Sequence, residues 1–281
     1  MKKVVVYSPA KINLTLDVVE KKEDFHNISS LVASINLFDK IIIKKRKDKI
    51  ITLTEKGIKS GANLLENTAY LSAKLFLEKY NTCGVDITIY KKIPVANGLG
   101  GSSCDIAGVL KGMKALFEIE EDVSCLAKQL GSDAVYMLTG GFAVMSGRGD
   151  IIKNLNINPK LYLLIVSSNE KVLAKDSYAL YDTLNLSYKD STNKCVEYLE
   201  KGDLIGFSAV AKNDLYESSV RLAPSIKFGI KNLKTTGAIL SIMSGSGSCT
   251  YAIYLNKKQR NSAYKNLKKT YGKRLIKAET I

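Results

Sequence analysis

The chain of 281 residues contains no tryptophan, four prolines and one histidine, His26. Its cysteines, at 83, 104, 125, 195 and 249, are odd in number and form no C-x-x-C pair. With so few soft ligands a typical zinc site is excluded, and a reducing, cytoplasmic setting is expected. No stretch reaches the roughly 18 apolar residues that a membrane helix needs, so no membrane partner is expected. The basic tip of MKKVVVYSPAK precedes an apolar run too short for a signal peptide. Acidic residues are also in deficit: 42 Lys and Arg against 27 Asp and Glu leave a net charge of +15. That excess could serve nucleic acid, an anionic substrate or only the surface. The basic runs (40–49, 256–260 and 265–274) are scattered and rarely interleaved with aromatics, which favours a solvated surface without nucleic acid. The abundance of Lys, Ile and Asn also suits an A/T-rich coding bias.

What is present is the composition of an ordinary globular protein, 46% hydrophobic and 25% charged. The length suits one large domain or two of ordinary size. Apolar residues alternate from Val4 to Leu16, a strand pattern that buries Ala10, Ile12, Leu14 and Leu16 and leaves Lys11, Asn13 and Thr15 on an exposed face. Residues 63–80 read as a helix, 85–93 as a strand, and Ile106, Val109, Leu110, Met113, Leu116 and Phe117 recur at helical spacing. Ser102 and Asp105 have the S-x-x-[DE] spacing of a capping box at the start of that helix. A short helix is expected at 122–130, a strand and turn in GGFAVMSGRGD, and a buried strand in LYLLIVS. Further helices are expected near 174–184, 191–201 and 225–233, then a hairpin in AILSIMSGSGSCTYAIY. The polar segment 151–160 is the expected boundary, giving domains 1–155 and 156–281.

The stretch IPVANGLGGSSCDIAGVL, 93–110, sets a glycine turn between the strand and the helix. Such turns hold anions, because unpaired N–H groups and the helix dipole converge there. It lacks the terminal lysine of G-x-x-x-x-G-K-[ST]. It also lacks the third glycine of G-x-G-x-x-G, where Ser103 stands, and the surrounding pattern of that fingerprint. A plain strand-to-helix connection is the alternative. The phosphate reading gains from a second glycine turn, SGSGS at 244–248, and from a distant strand lysine, Lys11, that could supply the missing charge.

Three segments in order, SPAKINL (8–14), IPVANGLGGSSCDIAG (93–108) and IMSGSGSCTYAI (242–253), resemble the three motifs of the GHMP kinase superfamily. The likeness is greatest to the branch that phosphorylates the 2-hydroxyl of 4-diphosphocytidyl-2-C-methyl-D-erythritol, an isoprenoid precursor of the non-mevalonate route. EDFH at 23–26 resembles its D-G-[YF]-H, and LGSDAVYMLTGGFAVMSGRGD (130–150) and NDL (213–215) also match. The resemblance implies an α+β fold of two lobes, the first like ribosomal protein S5 domain 2 and the second ferredoxin-like. It implies ATP as co-substrate with Mg2+, a small cytidyl substrate as partner, and a monomer or homodimer. Lys11 and Asp133 would be catalytic. Pro94, Val95, Ala96, Asn97, Gly98, Leu99, Gly100, Gly101, Ser102, Ser103 and Cys104 would wrap ATP, while Asn13, Phe25, His26 and Tyr178 would bind the substrate, with Phe25 stacking on the cytosine. Magnesium ligands are not implied. By spacing alone Asp133 could be a helix cap, Lys11 a surface lysine, Phe25 core and His26 a loop histidine.

The motif also departs from the family. Ser102 stands at a glycine position and gives up free access to positive φ. Cys104 replaces a hydroxyl with a weaker hydrogen-bonding thiol. Asp24 replaces a glycine, Val135 a proline and Ser248 a proline. Another alcohol substrate, or a non-catalytic basic relative, would be consistent with these losses.

Overall fold

The computed structural model describes residues 2–22, 25–184 and 188–281. In chain order the first elements are β1 (Lys3–Asn13), β2 (Asp17–Lys22), β3 (Phe25–Lys45), β4 (Ile51–Gly57), α1 (Thr68–Tyr80) and β5 (Val85–Lys91). Then come α2 (Gly101–Phe117), α3 (Ser124–Leu130), α4 (Ser132–Thr139), β6 (Phe142–Gly147), β7 (Ile151–Asn154) and β8 (Tyr162–Val166). The remainder is α5 (Ala174–Tyr181), α6 (Thr192–Glu200), α7 (Leu204–Val210), α8 (Tyr216–Leu222), α9 (Ser225–Lys234), β9 (Leu240–Met243), β10 (Thr250–Tyr254), α10 (Lys257–Tyr271) and β11 (Leu275–Glu279). The chain forms two compact units: residues up to 10, 37–95 and 100–140 in the first, and 11–36, 96–99 and 141–281 in the second.

In the first unit β5 lies between β4, parallel to it, and the second half of β3, antiparallel, with Ile41 opposite Ile89 and Ile43 opposite Ile87. Alternation puts these isoleucines on one face, where Phe76 of α1 and Val109, Leu110 and Met113 of α2 cover them. A side chain on Gly108 or Gly112 would strike Ile41 or Ile43, so the two glycines let α2 lie close on the strand. Asn67 caps α1 by accepting from Ala69 N, which starts that helix later than its periodicity suggests.

The second unit holds two sets of strands. The first half of β3 pairs antiparallel with β6, and β6 with β7, so the first four residues of the polar 151–160 segment are a strand. The other set is a four-stranded antiparallel sheet in the order β11-β8-β10-β9. Its Leu164, Val166, Ala252 and Tyr254 pack with Leu233 of α9 and Ala263 and Leu267 of α10. The hairpin expected around SGSGS is present, with Met243 opposite Thr250 across the turn. Two helices and the last strand, α7, α8 and β11, are short or charged and give little periodic signal.

Candidate active site

In the second unit three segments far apart in sequence meet. Lys11 N donates to Leu99 O at 3.1 Å, which fixes the end of the first strand against the glycine turn. Asn13 N donates to Ser244 Oγ at 3.1 Å, and Ser244 Oγ donates to Gly98 O at 2.9 Å, so one hydroxyl ties strand, loop and second glycine turn together. Tyr251 OH donates to Asn13 O at 2.8 Å from β10. Asn213 Nδ2 holds the second turn through Met243 O and Gly245 O, at 3.0 and 2.8 Å. Gly98 has φ +73°, and a Cβ there would come within 2.0 Å of Ser244 O; only glycine permits this approach.

The polar face of β1 is not exposed as its alternation suggests. Lys11, Asn13 and Thr15 are at most 5% accessible, because the turns at 96–99 and 244–247 cover that side. Lys11 Nζ donates to Asn13 Oδ1, and Asn13 Nδ2 donates to Ser30 Oγ at 2.8 Å. Thr15 Oγ1 accepts from Leu31 N at 2.9 Å and pairs with Thr192 Oγ1 at 2.7 Å. Asn97 of the loop is clasped by Ser168, donating to its carbonyl at 3.2 Å and accepting from its N–H at 2.8 Å.

The rest of the loop belongs to the first unit. After Pro94 and Val95 the chain passes through 96–99, returns at Gly100 (φ +70°) and enters α2 at Gly101. Positive φ falls at Ala96, Gly98 and Gly100; Ser102 is helical, so the family glycine it replaces is not needed for conformation. No capping box forms. The N-cap is Gly100, two residues earlier than Ser102 suggests, and Asp105 turns inward to Lys91 instead. Cys104 also turns away from the loop: its thiol is buried and donates to Ser8 O at 3.3 Å, while Ser8 Oγ donates to Cys104 O at 2.7 Å. Burial above all pushes the Cys104 thiol far above the ordinary cysteine range, with the charges of Asp105 and Asp39 adding to it. What remains for an anion is the backbone of Gly100–Ser103, the first turn of a long helix, with Ser102 and Ser103 hydroxyls beside it. Asp133 lies in the first turn of α4, the carboxylate-favouring end, and α4 packs on α2.

Phe25 and His26 open β3 opposite Lys22 and Lys21 of β2. Asp24 lies outside the described residues. The Arg148 guanidinium sits 3.4 Å over the Phe25 ring, a cation–π contact. His26 stacks on Tyr178 at 4.9 Å between centroids and meets Tyr181 edge-on at 6.3 Å. Its Nε2 lies 2.5 Å from Asp182 Oδ1, and Lys21 Nζ donates to Asp182 Oδ2 at 2.6 Å. Desolvation works to raise the Asp182 carboxyl, but the Lys21 and His26 hydrogen bonds outweigh it and hold it below the usual carboxylate range. Of the candidate substrate residues, His26 and Tyr178 thus join Tyr181, Asp182 and Lys21 in a connected aromatic and charged cluster. Phe25, beside His26 in sequence, pairs with Arg148, and Asn13 belongs to the network around Ser244. Asp182, Asp39 and Lys91 lie outside the quoted motifs, and Tyr251 and Arg148 lie inside two of them with no role assigned by sequence; all five take their meaning from folding.

Among the described residues one group of side chains has metal-ligand proximity: Asp39, Cys104 and Asp105. Lys91 bonds both carboxylates and the thiol is protonated, so this group does not suit magnesium.

A profile of the GHMP kinases N terminal domain matches residues 67–147, and a profile of the GHMP kinases C terminal matches 195–273. The chain is 32% identical over 266 residues to a 4-diphosphocytidyl-2-C-methyl-D-erythritol kinase of Macrococcus caseolyticus, covering 93% of this chain and 94% of that one. A crystal structure of 4-(cytidine 5'-diphospho)-2C-methyl-D-erythritol kinase superposes with a TM-score of 0.84 at 28% identity, covering 98% of each chain. A homoserine kinase from Cytophaga hutchinsonii shares the fold alone, with a TM-score of 0.77 at 17% identity, over 100% of this chain and 95% of that one.

Proposed function

This chain belongs to the GHMP kinase family, and from that premise we propose that it transfers the γ-phosphoryl group of ATP to the 2-hydroxyl of 4-diphosphocytidyl-2-C-methyl-D-erythritol. The observation that carries the reading is the Ser244 hydroxyl, which joins the first-strand motif, the glycine loop and the second glycine turn in one network. The named relatives over nearly the full length supply the substrate. In this reading residues 1–155 and 156–281 are the N- and C-terminal kinase lobes, a division consistent with profiles falling on either side of residue 155.

ATP phosphates rest on the N–H groups of the 94–104 loop and the start of α2. Lys11 supplies the cation that this loop lacks, and its charge offsets the negative charge that spreads over the transferring group. An ordinary carboxylate is a weak base for an alcohol, so Asp133 orients the substrate hydroxyl and takes its proton late. Magnesium bound with the nucleotide would supply neutralisation of phosphate charge, and no side chain of the chain is assigned to it. Phe25 stacks on the cytosine, while His26 and Tyr178 line the base and Asn13 borders the alcohol. The basic runs 256–260 and 265–274 lie mostly on exposed positions of α10 and its ends, and in this reading they are a solvated surface. The described cysteines are all free, in keeping with a cytoplasmic enzyme. It works as a monomer or homodimer.

The test is ADP release in a coupled assay with Mg-ATP, run with the cytidyl alcohol, mevalonate, homoserine or no acceptor. Turnover dependent on the cytidyl alcohol is expected. Turnover with another alcohol only would replace the substrate, and none with any acceptor would sink the kinase reading.

A further inference from the structure

The first unit contains a closed charged cluster with no part in the chemistry above. Lys91 Nζ donates to Asp39 Oδ2 at 2.8 Å and to Asp105 Oδ2, and all three residues are at most 4% accessible. The second oxygen of Asp39 accepts from Lys92 N and Ile93 N at 2.6 and 2.9 Å. These two residues follow the end of β5 and immediately precede Pro94, where the candidate ATP loop begins. Asp105 lies directly after Cys104, where that loop ends. A single lysine therefore links the chain entering the loop to the chain leaving it.

Stability does not account for such a cluster. Buried ion pairs give up hydration that their mutual attraction scarcely recovers, and well-packed apolar replacements are often at least as stable. Here the imbalance is greater, because two carboxylates share one ammonium and Asp105 Oδ1 has no hydrogen-bond partner. Burial, more than any neighbour, lifts the Asp105 carboxyl to about 7, with Lys91 opposing and Asp39 adding to the rise. Burial also disfavours the Lys91 ammonium, but the two aspartates outweigh it and hold it above the ordinary lysine range. Apolar side chains could fill the same space, but they could not fix the direction and spacing of a strand end against a helix start. A misplacement of about an ångström in groups that hold a reacting phosphate can cost a large factor in rate, so the aim of the N–H groups matters.

We propose that Lys91, Asp39 and Asp105 are positioning residues that fasten both ends of the 94–104 loop, holding its backbone donors ready for the phosphates of ATP. The proposal deepens the kinase reading and rests on it. The cluster touches no reacting atom; it acts through the loop.

The experiment uses the full chain and two variants. One is Lys91→Met, which leaves buried carboxylates without their cation and can fail to fold. The other is the neutral triple Lys91→Met, Asp39→Asn, Asp105→Asn, which removes all three charges and keeps an acceptor for Lys92 and Ile93. Affinity for the non-hydrolysable β,γ-imido analogue of ATP is measured by calorimetry, alongside kcat, both KM values and Tm. The triple is expected to keep a Tm near the parent's, to bind the analogue about 10- to 100-fold more weakly and to lose kcat by a similar factor. KM for the cytidyl alcohol should stay within about twofold, since that substrate contacts other residues. A triple that folds normally and matches the parent in analogue affinity and kcat overturns the proposal. So does a triple that no longer folds, because the cluster is then a stability element. The parent separates the two readings. If it binds the analogue but does not turn over the cytidyl alcohol, the substrate assignment falls while analogue affinity still decides the loop proposal; if it binds no analogue, both fall.

Discussion

Lys11 holds its charge in a place from which water is nearly excluded, 4% accessible and bonded to Asn13. In so dry a setting a fixed cation acts more strongly on developing charge than it would in water. Lys11→Met should therefore lower kcat by roughly two to three powers of ten, the scale of losing one preorganised electrostatic group, with ATP affinity changed much less. Steady-state kinetics on the purified variant check this; undiminished kcat would remove Lys11 from the site. Cys104 makes the opposite case. The family hydroxyl at this position suggests a lost phosphate contact, yet the thiol points into the first unit toward Ser8. Cys104→Ser should leave ATP affinity within about threefold of the parent, since a hydroxyl there meets Ser8 rather than nucleotide. Burial also keeps this thiol protonated, so brief iodoacetamide treatment of native protein should label exposed Cys125 and spare Cys104. Peptide mass spectrometry reads both sites, and early labelling of Cys104 would show that the first turn of α2 opens.

The hairpin-like pairing of β2 with β3 carries Phe25 and His26, while α5 supplies Tyr178 and Asp182 lies just past its end. The Arg148 turn between β6 and β7 reaches Phe25. Stacking on an aromatic is worth about 1–3 kcal/mol per base, so Phe25→Ala should raise KM for the cytidyl alcohol roughly 5- to 150-fold. KM for ATP should hardly change, and Phe25→Tyr should be near neutral because the stacking face survives. Parental KM in a folded Phe25→Ala protein would end the cytidyl assignment. Elements with strong periodicity were legible in the sequence: β1, α2, β8 and the β9–β10 hairpin stand close to where alternation and spacing put them. Elements α7 and α8 were not, because α7 buries only Phe207 and α8 buries the small polar Ser218 and Ser219, so neither shows an apolar period. The same limit applies to the site. Spacing brought out Lys11, the glycine loop and the second glycine turn, since motif chemistry is local. It could not bring out Asp39, Lys91 or Tyr251, whose meaning comes from partners tens or hundreds of residues away. It also misassigned Asp105, where a buried lysine competes successfully with a helix cap.

For the molecule as a whole, the charge of +15 is the feature most open to another use. Scattered surface lysines attract polyanions weakly and without register, and salt removes that attraction. Association with single-stranded polynucleotide should thus be measurable at about 20 mM salt and fall to background near 150 mM, while kinase turnover persists. Fluorescence anisotropy and the coupled assay, run side by side across that salt series, test it; tight polynucleotide binding at the higher salt would favour the non-catalytic basic relative. Connectivity bears on synthesis too. Asn13 and Ser244, which share the central hydroxyl bond, are 231 residues apart. At translation rates of about 5–20 residues per second, the first strand waits roughly 10 to 50 seconds for its partner to be made. Tyr251, whose hydroxyl closes the network on Asn13 O, comes later still. Nucleotide can therefore offer the growing chain no protection, and for most of its time on the ribosome Lys11 and Asn13 depend on solvent or chaperones to cover a face that the finished protein buries.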